Sequence, residues 1–196
     1  MSTLRPLEKV MKYTRNPIFL IFTILLGLVL IARPFGLSDQ AEQPGLPFGP
    51  TKGALAPLIS TQNFGGDNVN LESLKGKIVV INFWASWCPP CRAEMQAFQN
   101  VSKQYDPSEV MIVGLNSTFQ DDLGQAEAFI AERQITFPIW LDLNGEITRM
   151  YQVRAMPTTF FIDASGIVKD VMIGGPLDEA VIAITIEEML GEAEEQ

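Results

Sequence analysis

The chain has 196 residues, enough for one globular domain of ordinary size with a remainder and too few for two full domains with connections. Its net charge of −9 divides into +4 over residues 1–33 and −13 over the rest, and a body that acidic argues against a nucleic-acid surface, which needs clustered Lys and Arg. Histidine is absent and the cysteines number two, Cys88 and Cys91, which removes His-based triads, His-ligated zinc or haem, a disulfide scaffold and a four-thiolate metal site within one chain. Chemistry must then run through two sulfurs or through carboxylates.

Arg5, Lys9, Lys12 and Arg15 precede seventeen uncharged residues, Asn16 to Ala32, and Arg33 closes them. As a helix this run spans roughly 25 Å, slightly short of a hydrocarbon core of about 30 Å, and arginines at both ends can snorkel across the difference. The spacing predicts a single transmembrane anchor over 16–32. The positive-inside bias places residues 1–15 in the cytoplasm and the acidic body on the outer side of the cell membrane. A cleavable signal peptide, with Gly36-Leu37-Ser38 as a loose cleavage site, is the competing reading; it delivers the body to the same side. Residues 33–52 hold Pro34, Pro44, Pro47 and Pro50 with Gly36, Gly45 and Gly49 and no apolar period, which predicts a flexible tether.

From residue 53 to 190 short β-branched runs alternate with helical spacing, predicting a layered α/β domain. Leu58–Thr61 and Val69–Leu71, around Gly65-Gly66-Asp67-Asn68, suggest a small leading hairpin. Ile78–Trp84 (IVVINFW) is almost wholly apolar, as expected of a central strand covered on both faces. Val110–Leu115, Phe137–Leu141, Thr158–Ile162 and Val168–Ile173 follow, the last two joined through Asp163-Ala164-Ser165-Gly166 as an antiparallel hairpin. Helices are expected over Pro90–Gln104, Gln125–Gln134, Glu146–Tyr151 and Leu177–Leu190, and residues 191–196 as a frayed acidic tail.

Trp87-Cys88-Pro89-Pro90-Cys91 stands between the central strand and the first helix. Two cysteines three apart across a helix start can form an accessible disulfide, the first sulfur lying near unpaired backbone N–H groups and the second one turn inside. Cys88 is then the attacking thiol and Cys91 the resolving one. Lowering a thiol pKa from about 8.5 to about 7 takes roughly 2 kcal/mol of thiolate stabilisation, which a helix terminus supplies only where the site is shielded. Trp84 and Trp87 are the expected shields. Pro89 and Pro90 stiffen the first turn while removing two N–H donors. Arg92 reads as a surface charge, and Trp87, beside the nucleophile, as a substrate contact.

The run Gly76–Cys91, read together with Ala155-Met156-Pro157-Thr158-Thr159-Phe160 some seventy residues later, resembles the thioredoxin-like proteins. The likeness is strongest to the membrane-tethered, extracytoplasmic TlpA/ResA/CcmG type, a group related to the AhpC/TSA redoxins, and it covers about residues 54–190. It implies a thioredoxin-like fold with an N-terminal hairpin and a central insert before Phe137-Pro138-Ile139. It also implies a redox-active Cys88–Cys91 disulfide and a cis Met156–Pro157 bond that offers the Met156 backbone to a substrate segment. Neither cofactor nor metal is implied. Thioredoxin has a buried aspartate where this chain has Asn82, which cannot shuttle protons. Glu94, one turn after Cys91, matches the glutamate that ResA-like proteins keep near the site and is expected to tune or accept protons during exchange; spacing alone would leave it an exposed helix carboxylate.

The resemblance implies a disulfide reductase acting on extracytoplasmic protein substrates, apocytochrome c among them, and recharged by a membrane electron donor of the CcdA/DsbD type. Two rivals use the same residues. A tethered binding or holdase module would capture clients at the Met156–Pro157 groove and leave the dithiol incidental. A thiol peroxidase would need a Pro-x-x-x-Thr-x-x-Cys setting, and Ala85-Ser86-Trp87-Cys88 has no such threonine.

Overall fold

The computed structural model describes residues 47–194. Seven strands form, β1 Ser60–Asn63, β2 Asn68–Asn70, β3 Ile78–Trp84, β4 Val110–Asn116, β5 Ile139–Leu141, β6 Thr158–Ile162 and β7 Val168–Ile173, with helices α1 Pro89–Ser102, α2 Leu123–Glu132, α3 Glu146–Met150 and α4 Glu179–Glu194. They join one sheet in the order β2-β1-β5-β4-β3-β6-β7. β3, β4 and β5 run parallel to one another, and the remaining pairs are antiparallel.

All seven residues of β3 are buried, which explains their unbroken apolar character. Alternation along a strand divides them between two cores. Ile78, Val80 and Trp84 join Met95, Phe98 and Val101 of α1 and Ile182 and Ile186 of α4. Val79, Ile81 and Phe83 join Phe160, Ile162 and Tyr151 on the opposite face. Burying each of these large side chains contributes about 1.5–3 kcal/mol, so the sheet centre is held from both sides. Asn82 has the parity of the α1 face and is the one polar residue in the strand. Next door in β4, a Cβ on Gly114 would stand 2.7 Å from Ile139 Cδ1 and 3.1 Å from Phe137 Cε2, so glycine is what lets those side chains close on the strand.

Sequence and structure agree on β3, β6 and β7 to the residue. They differ where pairing overrides propensity. Both strands of the leading hairpin lie closer to its turn than expected, because Ser60 pairs with Asn70 and Gln62 with both Asn68 and Leu141, which recruits polar residues that no apolar alternation marks. The expected tether does not stay free as far as residue 52. Phe48 bridges Leu55, Leu55 N–H donates to the Pro47 carbonyl at 2.7 Å, and Gly49 N–H donates to the Leu55 carbonyl at 2.9 Å. The final helix runs on to Glu194, into the stretch expected to fray, and Glu192 pairs with Lys169 at 2.5 Å. Among the described residues no helix is long and apolar enough to cross a membrane. The anchor over 16–32 and the tether before residue 47 lie outside those residues.

Candidate active site

Ala85, Ser86 and Trp87 carry the chain from β3 into α1, whose N-cap is Cys88 and whose first two positions are Pro89 and Pro90. Neither proline has an N–H to leave unpaired, so the helix can begin there without loss. The first available amide, Cys91 N–H, donates to Cys88 Sγ at 3.3 Å. Cys88 and Cys91 are joined by a disulfide, with Cys88 3% exposed and Cys91 fully buried. The helix start thus holds both sulfurs within the apolar cluster, Cys88 at the cap and Cys91 in the first turn, where the spacing predicts an accessible first sulfur.

On the β6 side, one turn along α1 from Cys91, lies a buried carboxyl. Glu94 is 1% exposed; its Oε1 accepts from Asn82 Nδ2 at 2.7 Å and its Oε2 accepts from Leu177 N–H at 2.9 Å. Asn82 Nδ2 also donates to Thr159 Oγ1 at 3.0 Å. Burial pushes the Glu94 pKa up to about 7, against the opposing pull of the Leu177 and Asn82 hydrogen bonds. Its setting is closed by Gly174-Gly175-Pro176. A Cβ on Gly175 would fall inside contact distance of Glu94 Oε2 and 2.7 Å from Pro157 Cγ, so Glu94 and Pro157 line the same narrow space. The Met156–Pro157 bond is cis, and so is Gly175–Pro176, which the sequence reading did not foresee. Met156 is half-buried against the apolar cluster that contains both cysteines.

On the β4 side the same loop is latched by a different carboxylate. Asp121 Oδ2 accepts from Ser86 N–H and from Asn116 Nδ2, both at 2.7 Å, and Oδ1 accepts from Ser86 Oγ at 2.5 Å. Trp87 Nε1 donates to the Gln120 carbonyl at 2.9 Å, leaving the indole 54% exposed on this side. Trp84 is fully buried in the same apolar cluster as both cysteines, whereas Trp87 keeps its indole in solvent. Arg92 is not a free surface charge. Its guanidinium donates to the Ser86 carbonyl at 3.2 Å and lies 4.2 Å from the centroid of the Phe129 ring, a cation–π seat that ties α1 to α2.

The structure thus gathers Cys88, Cys91, Glu94, Met156 and Pro157 around one helix start and sets Trp87 on the far flank. Asp121, Asn116, Thr159 and Gly175 were missed. Gly174-Gly175-Pro176 carries a legible turn signal. Asp121 carries none, since Asp121-Asp122 before a helical run reads as ordinary N-capping, a task Asp122 performs by accepting from Gln125 N–H.

Fold and site define a thioredoxin-like protein with a redox-capable dithiol. The profile of the AhpC/TSA family matches residues 53–171, and the chain belongs to that family. It is 38% identical over 124 residues to the thioredoxin-like protein YneN of Bacillus subtilis, covering 63% of this chain and 72% of that one. With the thiol-disulfide oxidoreductase ResA of Oceanobacillus iheyensis it shares 39% identity over 106 residues, 54% of each protein. Among solved structures, a thiol:disulfide interchange protein of the thioredoxin family from Chlorobium tepidum superposes with a TM-score of 0.63 at 30% identity, covering 69% of this chain and 94% of that one. The enzymatic class is that of a thiol-disulfide oxidoreductase, carried by the Cys88–Cys91 pair.

Proposed function

We propose that the chain is a disulfide reductase held at the outer face of the cell membrane by residues 16–32. The reduced enzyme presents Cys88, whose thiolate attacks one sulfur of a partner disulfide; a mixed disulfide forms and one partner thiolate leaves. Cys91 then attacks Cys88 Sγ, the second partner thiolate leaves, and the two electrons have passed from the enzyme to the partner. Glu94, on the helix face one turn after Cys91, takes the Cys91 proton during the second attack and returns it to a departing thiolate. A group with a pKa near 7 does both at neutral pH. A membrane electron donor of the CcdA/DsbD type restores the dithiol, and extracytoplasmic proteins, apocytochrome c among them, are the substrates.

The observation that carries the reducing direction is the poverty of donors around Cys88 Sγ. One backbone N–H reaches it, from Cys91, while Pro89 and Pro90 offer none at the two positions before. A strongly oxidising dithiol protein owes its potential to a stabilised reduced form; a Cys88 thiolate with a single backbone donor has little of that stabilisation, which favours electron donation. Equilibration of the purified chain with glutathione buffers tests this. A potential below about −200 mV is expected, and one near about −120 mV overturns the reducing assignment. Replacing Cys91 by Ser traps the mixed disulfide and identifies the partner; protease access to the body in intact and opened cells tests the outward placement.

A further inference from the structure

β3, β4 and β5 are parallel and adjacent, so their carboxyl ends emerge along one edge of the sheet. Each end carries a large apolar side chain left in solvent: Trp87 after β3 is 54% exposed, Phe119 after β4 is 44% exposed and Leu143 after β5 is 52% exposed. The three segments are laced side by side. Trp87 Nε1 donates to the Gln120 carbonyl, and Phe119 N–H donates to the Asp142 carbonyl at 3.0 Å. The Phe119 ring rests over Gly145, where a Cβ would stand 3.1 Å from it, so the ring has a fixed seat. Apolar side chains of this size gathered at one edge mark an interaction surface, and this edge begins one residue from the attacking sulfur.

We infer that the strip Trp87–Phe119–Leu143 receives the substrate polypeptide on the side of Cys88 away from Pro157. This rests on the oxidoreductase reading, because the mixed disulfide is what lays a polypeptide across the start of the strip. An extended chain advances about 3.3 Å per residue, so a few residues beyond the reacting cysteine reach Phe119 and Leu143. The occupant this edge fits is a segment with a large aliphatic or aromatic side chain at that distance, accompanied by lysine or arginine. Exposed carboxylates Asp122 and Glu146 lie in the segments that form the strip, and the two guanidinium groups beside it are engaged with backbone carbonyls, Arg149 with Asn144 at 3.3 Å and Arg92 with Ser86 at 3.2 Å.

Two synthetic peptides of equal length test this, each closed by one disulfide, one with leucine, tryptophan and lysine beside its cysteine and the other with serine and asparagine there. The full chain in detergent, reduced with dithiothreitol and freed of it, is mixed with each, and its oxidation is followed by tryptophan fluorescence. The apolar, basic peptide is expected to react about tenfold more efficiently, the equivalent of seating one apolar side chain. That ratio should approach one in the Phe119→Ser, Leu143→Ser double variant. Equal reaction of both peptides with the unsubstituted chain overturns the strip alone, as does a ratio that survives the double substitution. A self-association that the same substitutions abolish also overturns it, by giving the strip to a second copy of the chain. Reaction with neither peptide overturns the oxidoreductase reading and the strip with it.

Discussion

The two flanks of the dithiol loop are built from the same kind of residue to opposite ends. Each has a carboxylate that accepts several hydrogen bonds: Glu94 on the β6 side takes two, from Asn82 and Leu177, and Asp121 on the β4 side takes donors from Ser86, Asn116 and Asp122. Glu94 sits on the buried face of α1 among apolar groups, where desolvation outweighs its donors and the proton stays on to about neutrality. Asp121 sits at the loop surface, half-buried, where its donors fix the backbone ahead of Cys88. A carboxylate becomes a proton store or a clamp according to how much water it keeps.

The largest effect belongs to what both flanks serve. Cys88→Ala should reduce disulfide reduction to the rate of the uncatalysed exchange, measured with a peptide disulfide. A holdase built on the Met156–Pro157 groove would instead keep its client binding and lose nothing else. Glu94→Gln comes next and addresses the β6 flank. Between pH 4.5 and about 7 the folded chain keeps the Glu94 proton while the unfolded chain has released it, so the folded state binds more protons and stability falls as pH rises through that window. The fall is up to about 3 kcal/mol and is complete above about pH 7. Urea titrations of the oxidised chain across that range should show this decline in the unsubstituted protein and its flattening in the Gln variant. The rate of exchange should lose an inflection near pH 7 at the same time. A decline that persists undiminished would move the titration to another group.

Asp121→Ala tests the other flank and should cost about 1–3 kcal/mol at pH 7, since Ser86 N–H and the Asn116 amide lose their acceptor in a partly buried setting. Urea denaturation reads the loss. The informative companion is the reduction potential of Cys88–Cys91. A clamp that positions the loop shifts the potential along with the stability, whereas a remote structural bond changes stability alone.

The contrast also shows what the sequence could reveal. β3 was legible because burial on both faces leaves an unbroken apolar run, and Cys88, Cys91 and Pro157 because two separated motifs agreed. Glu94 was placed by resemblance, while its burial was invisible: helical spacing cannot say that Asn82 of β3 and Leu177 of the β7–α4 loop converge on one carboxyl. Asp121 lay beyond reach for the same reason, its partners Ser86 and Asn116 being brought to it only by the parallel pairing of β3 with β4. Arg92 was misjudged in surroundings, though not in location, because its seat depends on Phe129, which belongs to another segment of the chain. Local pattern fixes which elements form; the polar contacts between them follow from register.

The smallest expected effect is the most specific to the comparison. Trp87→Phe keeps an aromatic ring beside Cys88 and removes one hydrogen bond, from Nε1 to the Gln120 carbonyl. Because the indole is more than half exposed, water can replace that bond on both partners, and the stability loss should be at most about 0.5–1.5 kcal/mol. Exchange with a small aromatic disulfide should change little if the ring's apolar surface is its contribution, whereas Trp87→Ser should slow reaction with an apolar peptide disulfide several-fold. A Phe variant as impaired as the Ser variant would assign Trp87 to the clamp with Asp121, and the division of the two flanks would then run through the residue next to the nucleophile.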